Sequence, residues 1–215
     1  MKITKITNYY HAGHLYSVAK NASSNKETDE NDPLISIMFS VLALEAFINE
    51  SGSLAKMMPS SQKEKIVEGF SSVMSELEDR KEALLVKYHM ALLVFSGATW
   101  DEGAQPFQDF KLLITLRNAI VHMKADKWET ETTIASEQKE RELKQYPKFI
   151  KVLKQKGLIS IPETSTSWLE VISNPKVGQW ACQTAELITK EFTEKVPDGN
   201  FKKSLENYAF GESNG

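Results

Sequence analysis

Phe107-Gln-Asp-Phe-Lys-Leu-Leu-Ile-Thr-Leu-Arg-Asn-Ala-Ile-Val-His122 is the stretch whose reading decides the fold. At about 100° per residue it is one helix, apolar over most of its circumference. Phe110, Leu113, Ile114, Ile120 and Val121 form a broad face, and Leu112, Leu116 and Met123 extend it. Lys111, Thr115, Asn118 and His122 fall in a polar wedge roughly 60° wide by the same count. A helix apolar nearly all round is a buried one, so the wedge is expected to form a polar seam beside a core. Arg117 breaks the pattern, because it falls inside the apolar face between Phe110 and Ile120. A guanidinium cannot shed its proton there and is costly to bury alone. Either the face opens into a cleft at this point, or a carboxylate meets the arginine.

A second apolar helix supplies a carboxylate. Asp32-Pro33 reads as a helix start, with Asp as N-cap and Pro at the first helical position. The apolar run continues to Glu50 and is expected to stop at Ser51-Gly52, with Leu54 to Met58 as a connector. Glu45 falls on the face of Leu34, Met38 and Val41, with Asn49 one turn further on. A carboxylate so placed wants a cation. Two apolar helices, each with one misplaced charge of opposite sign, are expected to meet with Glu45 near Arg117 or His122.

Around these two helices the chain reads as mainly helical, with no strong strand alternation, internal repeat or Gly-rich phosphate loop. A first helix is expected within residues 4–20, where His11 and His14 lie three apart. A metal site there would need a third ligand, and surface or packing histidines are the simpler reading. Residues 60–79 and 82–96 carry amphipathic and more apolar helical patterns. His89, among apolar neighbours, reads as a core or rim histidine. Residues 136–156 read as a helical insert rich in lysine, split at Tyr146-Pro147. Lys144, Lys148 and Lys151 share one of its faces, which suits either a solvated surface or a docking patch for phosphates. Trp168–Ile172 reads as a short helix, and Asn174-Pro175 opens another. The expected organisation is one antiparallel helical domain over 1–197, with core helices near 33–51, 60–96, 106–123 and 174–196, then a loose tail over 198–215.

Composition sets bounds. The 215 residues are 41% hydrophobic and 26% charged, the balance of a globular domain. No apolar run approaches the length expected of a bilayer span, and the N-terminus lacks the apolar region of a signal peptide. One cysteine, Cys182, excludes an internal disulfide and a Cys-rich zinc site, and a reducing cytoplasm is the simplest setting. A net charge of −3 excludes a molecule that is basic all over, so any contact with nucleic acid must be local.

Arg117-Asn118-Ala119-Ile120-Val121-His122, at the end of an apolar helix, resembles the R-x-x-x-x-H signature of the HEPN family (higher eukaryotes and prokaryotes nucleotide-binding domain). The polar Asn118 directly after the arginine fits it, and Leu42-Ala-Leu-Glu45-Ala-Phe-Ile-Asn49 resembles an early core helix of these domains. The resemblance is loose over 1–195 and better over the two helices. It implies an all-α bundle, a homodimer with two motifs facing one cleft, and in many members a ribonuclease that needs no metal or cofactor. Such members often act as toxins or phage-defence effectors held by an antitoxin protein, while others are inactive binding modules. Carried onto this chain, Arg117, His122 and Asn118 are the expected catalytic residues. Glu45, Asn49 and Thr115 would support them, and Lys111, Lys124, Lys144, Lys148 and Lys151 would contact RNA. The implied partners are RNA, a second copy and an antitoxin, with no membrane.

The chemistry is argued from the side chains. RNA carries its own nucleophile, and a positioned imidazole can take the 2′-OH proton or protonate the departing 5′-oxygen. A guanidinium grips the phosphate and stabilises its developing charge. One geometric tension stands in the sequence: residues five apart point about 140° from each other on a straight helix.

Overall fold

The computed structural model describes residues 9–25, 29–59, 64–124, 129–132, 140–143, 146–161, 167–208 and 210. Nine helices are found among them: α1 (Ala12–Ser23), α2 (Asp32–Met57), α3 (Lys65–Asp79), α4 (Leu84–Ser96), α5 (Phe107–Val121), α6 (Lys148–Gln155), α7 (Trp168–Ile172), α8 (Pro175–Lys195) and α9 (Asn200–Tyr208). The fold is all-α in character, with one antiparallel ribbon, β1 (Glu129–Thr132) against β2 (Glu140–Leu143), in the register Glu129 to Leu143.

The axis of the bundle is α2, which packs against α1, α3, α5 and α8. Its Ile37, Val41, Leu44, Phe47 and Ile48 are buried at helical spacing. Phe192 of α8 is the hub opposite. Its ring lies 6.1–6.3 Å from the rings of Phe47, Phe70, Tyr88 and Phe95, which belong to α2, α3 and α4. Aromatic side chains of this size each remove roughly 150–250 Å² from water, so this cluster is a large share of the apolar drive for folding. The junction of α1 and α2 is closer, with small Ala12 and Ala19 buried on α1. The Ser36 hydroxyl donates across it to the Ala19 carbonyl at 3.1 Å. Glu50 of α2 caps the start of α1, accepting from the backbone of His11 at 2.7 Å and of Ala12 at 3.2 Å. Those amides have no partner within their own helix, so a distant carboxylate satisfies them.

Several expectations need correction. α2 does not stop at Ser51-Gly52 but runs on to Met57, taking in the expected connector. Gly52 is there for approach rather than termination. A Cβ at this position would stand 2.7 Å from the Met74 Cβ of α3, so only glycine lets the two helices come this close. By contrast Gly97 does end α4, in the left-handed conformation at φ 72°, which favours glycine. Asp32 is not the N-cap of α2; Asn31 holds that place. The Asp32 carboxylate instead gathers the preceding loop, accepting from the Asp29 backbone and the Asn25 amide. α1 starts at Ala12, later than expected, because Glu50 fixes its first turn there.

Of the lysine-rich stretch 136–156, expected as helix on both sides of Tyr146-Pro147, only the part after the proline is helical among the described residues. β2 occupies 140–143, and helix begins only after Pro147. The proline fixes an extended entry, and the apolar positions Phe149, Ile150 and Leu153 carry a helical period only from there. Nor are residues after 197 loose as far as 208: α9 buries Phe201 and Leu205. Tyr208 stacks on Phe47 at 5.7 Å and Phe210 on Tyr16 at 4.5 Å, so the end of the described chain belongs to the core. The reading that no apolar run reaches bilayer length is also overturned, since α2 is long and apolar enough by length and composition. Half of its most apolar window is buried inside the bundle, as the central helix of a helical core requires.

Candidate functional site on α5

α5 lies on the core by one stripe, Phe107, Phe110, Leu113 and Leu116. The stripe follows i, i+3 spacing, narrower than the sequence suggested. Ile114 and Ile120 are only partly covered, and Val121 and Met123 are 50% and 48% exposed. The face that holds Arg117 is therefore a rim of α5 rather than its buried side. The expected polar seam is on the outside as well: Thr115, Asn118 and His122 are exposed and Lys111 is half-buried.

Arg117 and Glu45 meet. Arg117 Nη2 lies 3.2 Å from Glu45 Oε2, with the side chains 26% and 40% exposed. The two misplaced charges of the sequence solve one another at the junction of α5 and α2, within reach of solvent. Arg117 Nη1 donates to Asn118 Oδ1 at 3.0 Å. Arg117 Nε is buried and has no acceptor among the described residues. The guanidinium is thus fixed on two sides and keeps donor capacity to spare. Asn118 presents its carbonyl to the arginine, and its Nδ2 donates to no other described residue. Its bond goes to Arg117 and not to His122.

His122 ends the helix. It is exposed at the C-cap, with φ −108° and ψ 34°, and its backbone N–H closes the last turn on the Asn118 carbonyl at 3.0 Å. The angular conflict read from the sequence rests on a straight helix through both residues. His122 is the C-cap but its N–H still closes an α-helical turn, and no hydrogen bond or ion pair joins its imidazole to Arg117 or Asn118 among the described residues. Lys124 follows, also exposed.

The supporting residues divide. Thr115 bonds its own helix, donating to the Lys111 carbonyl at 2.8 Å, and takes no part in the Arg117 cluster. Asn49 is engaged elsewhere, accepting from the buried Lys87 ammonium at 2.9 Å. The same ammonium pairs with Glu78, so Asn49 helps hold α4 and α3 on α2. Lys111 is occupied by Glu102 at 2.6 Å. Glu102 also faces His89 Nε2 at 3.5 Å, and the Lys111 ammonium beside it, followed by His89, holds its carboxyl below the ordinary carboxylate range. The sequence reading missed this cluster, because Glu102 sits in the loop before Pro106 and nothing in the periodicity ties it to α5. Lys148 and Lys151 are exposed on α6, whereas Lys144 lies outside the described residues.

Grooves among the described residues lie elsewhere. One between α2 and α3 is lined by Asn49, Ser71, Met74 and Glu78, and another along α8 by Thr189, Thr193, Glu206 and Phe210. Neither Arg117 nor His122 lines these two grooves. No group of three or more His, Cys, Asp or Glu side chains is placed to hold a metal ion among the described residues. No family model, curated protein or solved structure matches this chain. What stands is the class the fold defines: an all-α bundle in which a half-buried Arg117–Glu45 pair joins α5 to α2 and an exposed histidine ends α5.

Proposed function

We infer that the protein is a metal-independent endoribonuclease of HEPN type, with Arg117, Asn118 and His122 as its reacting group. The observation that carries this reading is the Arg117 cluster itself. A guanidinium held by Glu45 and Asn118 sits at the solvent-facing rim of the helix that ends in an exposed imidazole.

In this reading Arg117 and the Asn118 amide bind the scissile phosphate and stabilise the charge that builds on it. His122 takes the proton of the 2′-OH, the 2′-oxygen bonds to phosphorus, and the bond from phosphorus to the 5′-oxygen breaks. The leaving oxygen takes up a proton, giving a 2′,3′-cyclic phosphate and a 5′-hydroxyl. One imidazole is poorly suited to act as base and acid in a single step, and Asn118 and His122 are exposed at the end of α5. A second copy laid against the partly exposed Ile114, Ile120 and Val121 would close the site and bring a second His122. The biological setting that goes with this reading is a toxin or phage-defence effector, restrained by an antitoxin.

A second reading keeps the family and removes the reaction: a nucleotide-, RNA- or protein-binding module. The Glu45 carboxylate favours it, since it already occupies the arginine that a phosphate must engage. The two separate on incubation with RNA in EDTA. Wild type is expected to cut, while Arg117→Ala and His122→Ala each lose at least about a hundredfold in rate, as expected for removal of a transition-state charge partner or a general acid–base. Tight RNA binding with no turnover by wild type contradicts the enzyme reading and supports the module.

A further inference from the structure

The lysines of α6 form a surface that the Arg117 cluster does not use. The helix is strongly two-sided. Phe149, Ile150 and Leu153 are buried, and Phe149 meets the Trp168 ring at 5.4 Å, so the apolar side is spent on the protein's own core. The outer side carries Lys148, Lys151 and Lys154, all exposed. None of the three makes an ion pair among the described residues, unlike Lys156, which is drawn aside to Asp109 of α5 at 2.6 Å. From Leu143 to Pro162 the sequence holds five lysines and no Asp or Glu. With a net charge of −3 for the whole chain, the rest of the molecule carries −8. A positive face on an otherwise negative protein is where a polyanion lands.

We propose that the outer face of α6 is a docking track for the phosphate backbone of single-stranded RNA, taken by Lys148, Lys151 and Lys154. RNA as the occupant rests on the reading above. The three ammonium groups rise about 4.5 Å per step along the helix. They are flexible point charges with no planar fork for selecting one carboxylate, which suits a chain of phosphates read without sequence preference. A lipid surface fits less well, because α6 has already buried the apolar side that would enter a membrane. The track adjoins the site-bearing helix. Lys156 ties α6 to Asp109, and Arg117 lies eight residues further along α5, about 12 Å by helical rise. The ion pair thus places the C-terminal end of α6 beside the first half of α5, the helix on which Arg117 stands about two turns further on.

The test is a fluorescence-anisotropy titration of a labelled oligouridylate at several salt concentrations, with His122→Ala protein so that binding is read without turnover. Each phosphate contact on a single strand contributes about 0.7 to the slope of log affinity against log salt. Replacing Lys148, Lys151 and Lys154 together by Gln is expected to reduce that slope by about 2. The matched triple replacement of the exposed Lys65, Lys176 and Lys203 is expected to leave it unchanged. An unchanged slope in the α6 variant, or an equal fall in the control, overturns the proposal. So does a polyglutamate peptide that displaces the RNA charge for charge, which would assign the face to an acidic protein. Failure here is distinguishable from failure of the nuclease reading. Wild type that cuts RNA while the slope stays constant removes the track alone, and a reduced slope with no cutting removes the reaction alone.

Discussion

Glu45 and Arg117 are two residues in the wrong places that are right for each other. A charge inside an apolar face is visible in a sequence because it breaks a period, and two such breaks of opposite sign predict a contact 72 residues apart. The sequence left Arg117 and His122 both open as the partner of Glu45, and the structure gives Arg117. What was not legible was the depth of the contact, since periodicity marks which positions share a face and not how much of that face the next helix covers. The pair is part-exposed, and ion pairs of that kind contribute about 1 kcal/mol or less. Glu45→Gln is therefore expected to leave the melting curve nearly unchanged. It should also release the guanidinium for phosphate and tighten binding of a short RNA by about fivefold, the equivalent of 1 kcal/mol. Weaker or equal binding by the variant would contradict the role given to Glu45. Tyrosines provide a second test at this scale. Burial raises the hydroxyls of Tyr10, Tyr16 and Tyr88 above the ordinary phenol range, and Tyr16 is raised further by its hydrogen bond to Glu186. The folded state holds these protons more tightly than the unfolded one. Their stabilisation is complete below about pH 10 and declines as pH rises past it. Urea unfolding from pH 8 to 11 should show the decline, and Tyr16→Phe should make it shallower; an unchanged alkaline limb would contradict this.

At the scale of the element, helices whose ends are set by local chemistry were legible and those set by packing were not. Asn174-Pro175 opens α8 as the sequence indicated, with Asn174 Oδ1 accepting from the Lys176 backbone at 3.0 Å. Gly52 misled for the opposite reason. In a sequence a glycine after an apolar helix reads as a stop, but here it makes room for Met74. Gly52→Ala should force α2 and α3 apart and cost about 1–3 kcal/mol, the usual range for overpacking a core. A urea midpoint that did not move would mean that the two helices can separate freely. Of the ribbon, β1 falls where the polar stretch after His122 reads as a loop or short extended piece, whereas β2 falls in a stretch read as helix, since a strand of four residues with no apolar alternation leaves no period to read.

For the whole molecule, the all-α character followed from the helical periods, but surface and interior were partly exchanged. α5 was expected inside and stands at the edge, and α9 was expected loose and packs on the core. The exposed end of α5 is where a second copy would lie. If the proposed dimer forms there, Val121→Glu shifts sedimentation from dimer to monomer and lowers cleavage with it, while a monomeric wild type or a dimer unaffected by the change would contradict that interface. The lysine track of α6 belongs to this scale too, since it depends on how charge is divided over the chain.

The most direct measurement compares an RNA oligonucleotide with its 2′-deoxy counterpart, in EDTA, with the product ends identified by mass spectrometry. If Arg117 and His122 act on a phosphate through the neighbouring 2′-hydroxyl, RNA is cut to a 2′,3′-cyclic phosphate and a 5′-hydroxyl, the deoxy strand stays intact, and His122→Ala cuts neither. Equal cutting of both strands, 3′-hydroxyl ends, or full activity in His122→Ala would contradict it.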